Sequence, residues 1–249
     1  MIRVCVAGRT GWTGNAVAAG VEAAEDLDLV AGVSRTGEGD FRSVAEALDA
    51  SPVDVVVDYT HAAVVKENVL AALERGAAVV IGSSGLGAQD YDELDALALE
   101  HRVAVVAAGN FSLTAALLLR FATEAAASFG TWEVIDYASA GKHDAPSGTA
   151  RELAERLDAV GRPELAVPLE EVLGAPEARG ASIAGTQVHS LRLPSFVVST
   201  EVVFAAPGER LTLRHDAGDT PEPYVAGTLL AVRAVRSRVG VTRGLDQLL

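Results

Sequence analysis

The stretch Gly141-Lys142-His143-Asp144-Ala145-Pro146-Ser147-Gly148-Thr149-Ala150 gathers residue types that bind anions. Lys142 is one of only two lysines in 249 residues, the other being Lys66. A chain that draws its ordinary basic charge from arginine, yet keeps a lysine beside Asp-Ala-Pro-Ser-Gly-Thr, invites a site reading. Pro146 ends an extended segment, and Ser147 or Thr149 can cap a new helix. Thr149 and Glu152 have the T-x-x-E spacing of a capping box. A fresh helix N-terminus offers unpaired backbone N–H groups and the positive end of a dipole, both of which attract carboxylates or phosphates. For an isolated S-G-T, a capped helix start with a solvated lysine would be the plainer explanation.

A second candidate lies near the N-terminus. Gly8-Arg9-Thr10-Gly11-Trp12-Thr13-Gly14 follows an apolar strand over residues 2–7 and precedes a helical pattern over 15–24. In a dinucleotide-binding unit the first glycine permits the tight turn, the second lets the backbone approach a pyrophosphate, and the third lets the helix pack on the strand. The next strand, over 27–33, ends in Ser34-Arg35-Thr36. Ser34 stands where an NAD site carries an acid for the ribose diol. Without that acid, and with Arg35 next to it, a 2′-phosphate meets attraction and no repulsion. The cofactor expected is NADPH, with NADH possible; the plain alternative for Arg35 is surface charge.

These loops need a frame. Further apolar strands are expected over 53–58, 78–81 and 103–107, with helices over 44–48, 62–75 and 88–100. Alternating strands and amphipathic helices indicate a doubly wound parallel sheet, an α/β Rossmann-like domain whose ligands sit beyond the carboxyl ends of the strands. After residue 112 the pattern changes. A long helix over 113–129 leads to a strand over 132–138, the lysine segment, a helix to about 160, and strands over 187–193, 196–205 and 209–215. This reads as an α+β domain with an open, mainly antiparallel sheet. A last helix over 224–239 returns to the first domain. The domain division expected is 1–111 with 218–249, and 112–217. The stretch 160–180 reads as an extended connection.

Composition limits the function. The formal charge is −14, so nucleic-acid binding, which needs a basic surface, is not expected. The single Cys5 rules out an internal disulfide framework. The chain starts on a strand and has no long uncharged apolar run. A soluble cytoplasmic protein with no membrane partner is expected; no metal site is expected.

The lysine segment, as K-x-D-A-P-S-G-T-A, resembles the substrate-binding signature of dihydrodipicolinate reductases, NAD(P)H-dependent enzymes of bacterial lysine biosynthesis. Other segments resemble the family in the same order. Asp58-Tyr59-Thr60 resembles its D-F-T beside the nicotinamide. Gly82-Ser83-Ser84-Gly85 resembles its G-T-T-G loop, and Ala108-Gly109-Asn110-Phe111-Ser112 its A-x-N-F-S, whose backbone holds the carboxamide. Residues 185–194 resemble I-H-S-x-R-L-P-G, and 204–216 resemble F-G…L-T-I-R-H-D. The resemblance implies a homotetramer acting on a small dicarboxylate. It implies that Lys142 contacts a carboxylate or supports protonation, and that Ser147, Gly148 and Thr149 hold the other carboxylate. The cofactor would lie on Gly8, Thr10, Gly11, Trp12, Thr13, Gly14, Ser34, Arg35, Tyr59, Thr60, Gly82, Ser83, Ser84, Gly109, Asn110 and Phe111.

The chain departs from the family in its substrate half. Ala138 and Ser139 stand where the family has a histidine pair, one of them understood as the proton donor. Ser199-Thr200-Glu201 replaces H-Q-E, and an arginine expected between Asp219 and Tyr224 is absent. General acid catalysis contributes ~10²–10⁴-fold, so a substitute is needed. Lys142, Tyr137 and a water are candidates. His143 is expected to face away from the site, since neighbours in an extended segment point to opposite sides. His189 and His215 read as polar strand positions, and His61 has no family role. Three functions remain open: a divergent dihydrodipicolinate reductase, a reductase of the same fold with another carboxylated imine or carbonyl substrate, and a non-catalytic NADPH-binding homologue.

Overall fold

The computed structural model describes residues 1–35 and 40–249; Thr36 lies outside the described residues. In chain order the elements are β1 (Ile2–Ala7), α1 (Trp12–Glu22), β2 (Leu27–Val33), α2 (Val44–Ala50), β3 (Val55–Asp58), α3 (Val65–Glu74), β4 (Ala78–Ile81), α4 (Ala88–His101) and β5 (Ala104–Ala107). There follow α5 (Leu113–Ala126), β6 (Thr131–Ala138), α6 (Gly148–Asp158), β7 (Ala181–Ile183), β8 (Thr186–Arg192), β9 (Val198–Ala206), β10 (Glu209–Asp216), α7 (Glu222–Val235) and β11 (Gly240–Arg243). The chain divides into two compact units, Met1–Leu113 with Thr220–Leu249, and Thr114–Asp219.

The first unit is a six-stranded parallel sheet in the order β11-β5-β4-β3-β1-β2. Its central strands Val55–Asp58, Ala78–Ile81 and Ala104–Ala107 are buried along their whole length. That explains why they read as unbroken apolar runs rather than as alternating ones. One sheet face packs Cys5, Val56, Val79 and Val105 against Val44 and Ala47 of α2, Val65 and Val69 of α3, and Leu94 of α4. Helices α1 and α7 pack together and against the strands, with Val17, Val21, Val232 and Val235 buried. The strand order reverses between β1 and β3, which places the β1–α1 loop and the β3 end at a topological switch point, the usual ligand crevice of such sheets. Strand β11 was not foreseen from the sequence: Gly240-Val-Thr-Arg is too short and too little apolar to stand out, and it is a strand because β5 offers it a free edge. The preceding helix accordingly ends at Val235 rather than near 239.

The second unit is a five-stranded sheet in the order β10-β9-β6-β8-β7. Three of its pairings are antiparallel and one, β6 with β8, is parallel. Strand β6 alternates strictly, with Trp132, Val134, Asp136 and Ala138 buried and the intervening residues half-buried. The buried phase packs against Leu118, Leu119 and Ala122 of α5 and Leu153, Ala154 and Leu157 of α6. Each such leucine contributes about 1.5–3 kcal/mol by burial. The connection between α6 and β7 holds two short 3₁₀ turns, Leu169–Glu171 and Pro176–Arg179. Among the described residues no helix is long and apolar enough to cross a membrane.

Candidate active site

In the first unit the nucleotide-type loops lie side by side because parallel strands end at one edge. The β1 loop turns on Gly8, whose φ of +84° lies in the left-handed region and whose Cβ, if present, would run into the Tyr59 carbonyl after β3. Gly14, buried in the first turn of α1, sits so close to the Gly8 carbonyl that any Cβ would collide with it. Glycine is therefore required at both positions by the approach of backbone to backbone. Gly11 caps α1 without a side-chain bond, and the first turn carries no acidic residue. The N–H groups of Trp12, Thr13 and Gly14 accordingly start a helix whose positive end is uncompensated, with Gly11, Trp12 and Thr13 accessible. This cradle fits a pyrophosphate.

Around it, Thr10 Oγ1 bonds Ser34 Oγ at 3.0 Å, and Ser34 N–H donates to the Phe41 carbonyl at 3.0 Å. Arg35 is exposed at the end of β2. The Asp40 carboxylate accepts from Gly32 N–H at 2.9 Å; the β2 end thus does carry an acid, engaged with the strand backbone. The β3 end is organised by Asp58, fully buried, which accepts from Thr60 N–H (3.0 Å), Thr60 Oγ1 (2.6 Å), Ser83 Oγ (2.6 Å) and Asn68 Nδ2 (2.8 Å). One carboxylate thereby fixes Thr60 after β3 and Ser83 after β4. Tyr59 packs edge-on to Phe111 at 6.1 Å and its hydroxyl bonds Thr228 Oγ1 at 2.7 Å. Burial pushes that phenol far above its ordinary pKa. Ser84 and Gly109 are accessible, and Asn110 Oδ1 accepts from Ser112 N–H at 2.8 Å to shape the β5 loop. His61, exposed, accepts from Ala63 N–H at 3.3 Å and belongs to the turn before α3.

In the second unit the helix cap is Ser147, not Thr149. Ser147 Oγ accepts from Ala150 N–H at 3.4 Å and α6 begins at Gly148. The Thr149–Glu152 spacing predicted a box two residues too late, because Asp136 claims Ser147. The Asp136 carboxylate is fully buried and accepts from Ser147 N–H (2.9 Å), Ser147 Oγ (2.6 Å), Ser190 Oγ (3.0 Å) and Arg192 Nη2 (2.8 Å). Burial opposes its charge, but the bonds from Ser147 and Arg192 prevail and hold the carboxyl below its usual range. The same Arg192 nitrogen donates to the Asp144 carbonyl at 2.8 Å. The lysine segment is therefore pinned at Asp144 and at Ser147 by an Asp136–Arg192 pair. The sequence carried a signal for this: Asp136 is a charge at a buried-phase position of an alternating strand.

The side chain of Ser147 is occupied by Asp136, so what faces outward at the start of α6 is Gly148 and the half-buried Thr149. Lys142, partly exposed, pairs with Asp144 at 2.8 Å. Asp144 sits below the usual carboxylate range; partial burial works against that shift, and Lys142 drives it. Ala138 is fully buried and Ser139 exposed, its carbonyl accepting from Lys142 N–H at 3.1 Å. His143 is exposed. Tyr137 lies on the sheet face away from the helices, packed on Phe196 and under the Arg214 guanidinium. His189 on that face bonds Glu133 at 2.7 Å. His215 is buried, its Nδ1 bonded to Thr114 Oγ1 at 3.0 Å.

The family model for dihydrodipicolinate reductase, N-terminus, matches residues 2–111, and that for dihydrodipicolinate reductase, C-terminus, matches residues 114–249. The chain belongs to the dihydrodipicolinate reductase family. It is 39% identical to the 4-hydroxy-tetrahydrodipicolinate reductase of Moorella thermoacetica, over 100% of this chain and 98% of that protein. The enzyme of the same name from Cutibacterium acnes is 40% identical over 100% of this chain and 99% of that protein. Among solved structures, the dipicolinate-bound dihydrodipicolinate reductase from Paenisporosarcina sp. TG-14 superposes with a TM-score of 0.84 at 28% identity, covering 100% of both chains. As a member of this family the protein is an oxidoreductase, and its first unit is a nucleotide-binding domain of the NAD(P) type.

Proposed function

We propose that the protein reduces 4-hydroxy-tetrahydrodipicolinate, a cyclic dicarboxylate, with NADPH as the preferred cofactor. The observation that carries this reading is the pinned segment Lys142–Ala150. A buried carboxylate and arginine fix a loop that presents one ammonium group beside a helix start, Gly148 and Thr149, with no acid in its first turn. Such a pair of positive centres suits a rigid molecule with two carboxylates. Lys142 takes one carboxylate, trading its exposed partner Asp144 for the substrate. The N–H groups of Gly148 and Thr149, with the Thr149 hydroxyl, take the other; Ser147 acts through the backbone it holds.

The cradle of Gly8, Gly11 and Gly14 and the α1 N-terminus suit the cofactor pyrophosphate, with Thr10, Trp12 and Thr13 alongside. Ser34 and Arg35 stand at the ribose end, and Tyr59, Thr60, Gly82, Ser83, Ser84, Gly109, Asn110 and Phe111 at the nicotinamide end. When bound, the reduced nicotinamide supplies a hydride. Arg35 favours a 2′-phosphate, while Asp40 near the β2 end tempers that preference.

The outer face of the second sheet supports assembly into a homotetramer. There Ile135, Leu191, Val203 and Ala205, with Leu165 and Val167, line an apolar cleft of about 650 Å³. The substrate reading is tested by calorimetry with pyridine-2,6-dicarboxylate. Lys142→Ala should weaken its binding at least about tenfold, in keeping with loss of one charge-assisted bond, and leave the NADPH Kd within about twofold. Equal loss of both would remove Lys142 from the substrate site.

A further inference from the structure

Helix α7 comes from the far end of the chain, yet two of its residues meet the loops that follow β3 and β5. Gly227 and Thr228 are both buried. Gly227 lies so close to the Phe111 carbonyl that a Cβ would collide with it. Beside it, Thr228 Oγ1 lies 2.7 Å from the Tyr59 hydroxyl and donates to the Tyr224 carbonyl at 2.7 Å. Threonine has a single O–H, and the carbonyl takes it. The Tyr59 phenol is therefore the donor in its bond with Thr228. Two hydrogen bonds of fixed direction run from Tyr59 through Thr228 to the backbone of α7.

Tyr59 is a residue at which such a bond has leverage. Its N–H donates to the Ala7 carbonyl at 2.9 Å, and its own carbonyl closes on Gly8. Its ring passes over Gly82 so closely that a Cβ there would run into it, and it meets Phe111 edge-on at 6.1 Å. One residue of the β3 loop thus touches the loops after β1, β4 and β5. Gly82 offers the ring a flat face with no side chain to set how far it reaches, and the bond at its tip supplies that stop. Tyr59 stands where the family's D-F-T has phenylalanine, so the hydroxyl and its bond are additions of this chain to that signature.

We propose that Thr228 is a positioning residue for hydride transfer: by accepting the Tyr59 hydroxyl it holds the loops after β3, β4 and β5 at the spacing that presents the nicotinamide. This role rests on the reductase function proposed above. Thr228 is fully buried and acts through Tyr59 rather than on the cofactor or the substrate. Misplacing reacting atoms by about 1 Å costs up to ~10²-fold in rate. Nucleotide affinity, by contrast, draws mainly on the phosphates, which the proposed reading puts on the β1 loop and the start of α1. The bond should therefore govern kcat more than binding.

The test is a double-mutant cycle of Thr228→Val, which keeps the side chain's shape and removes the acceptor, and Tyr59→Phe, which removes the donor. Each single variant should lower kcat about tenfold, with the NADPH Kd within about twofold and the KM for the dicarboxylate nearly unchanged. The KM should hold because the proposed carboxylate anchors belong to the second unit. The double variant should be no slower than the slower single one, since the two groups act as one bond. Thr228→Ser, which keeps the hydroxyl, should stay within about threefold of wild type. Tyr59→Phe leaves Thr228 bonded to the Tyr224 carbonyl and keeps the test open if valine does not fold. An unaltered kcat in either single variant, losses that multiply in the double variant, or a loss of NADPH affinity as large as the loss of kcat overturns the role. If the wild type binds NADPH and reduces no dicarboxylate, the reductase reading fails instead, and the emission of the bound reduced nicotinamide decides the positioning. Both single variants should shift it, and emission identical to wild type overturns the role. A wild type that binds no nucleotide overturns both readings.

Discussion

At the scale of single residues, two cations of the second unit sit in very different settings. Lys142 pairs with the exposed Asp144, a partner that the proposed reading has it trade for substrate, whereas Arg192 is locked onto the buried Asp136. Both are basic residues close to Asp144, and only burial and partner geometry separate their roles. A third cation, Arg35, stands exposed at the end of β2, where the proposed reading puts a 2′-phosphate. Arg35→Ala should raise the Kd for NADPH about tenfold, the scale of one charge-assisted bond, and leave that for NADH unchanged. The ratio is read by fluorescence titration with both nucleotides, and a constant ratio would mean that Arg35 does not meet the phosphate.

At the scale of elements, β6 and the lysine segment behave as one unit because Asp136 ties the strand to the start of α6. Removing one partner of a buried, hydrogen-bonded charge pair costs about 3–5 kcal/mol. Asp136→Ala should destabilise by that amount, read from denaturant melts, and Ser147→Ala by the ~0.5–2 kcal/mol of a lost cap; a melt of Asp136→Ala indistinguishable from wild type would remove the pin. This network also marks where sequence reading stopped. The β1 loop and α1 were legible because glycine spacing between a strand and a helix has a backbone cause, now visible at Gly8 and Gly14. The cap stayed open between Ser147 and Thr149 because both have a hydroxyl, and the tertiary partner Asp136 on another strand accompanies the choice of Ser147. Strands β7 and β11 escaped notice because Ala181–Ile183 and Gly240–Arg243 exist by pairing with an available edge, not by their own pattern. Asp58 and Asp136 were legible only in part: each is an acid in a buried strand phase, but their partners Asn68, Ser83, Ser190 and Arg192 come from elsewhere in the chain.

At the scale of the whole molecule, stability should respond to acid in a defined order. His215 has a folded pKa below its ordinary value of about 6.5, so the unfolded chain gains a proton there before the folded one does. Stability therefore falls as pH drops from about 6.5 towards that lower value. Asp136 is lowered as well, so the stability it contributes is present above its ordinary range and is lost only at more acidic pH, as the folded carboxyl protonates. Denaturant melts between pH 7.5 and 5 should show a decline that His215→Gln reduces; an equal decline in both proteins would place the titrating group elsewhere. The departures from the family lie together in space, since Ala138 and Thr200 occupy neighbouring rows of one sheet, while the cofactor loops keep the family's layout. The most direct test is NADPH oxidation, followed at 340 nm, with 4-hydroxy-tetrahydrodipicolinate generated in situ by the preceding synthase. Sustained turnover, abolished or strongly reduced by Lys142→Ala, is the predicted result. Tight NADPH binding with no oxidation above the substrate-free rate would contradict it.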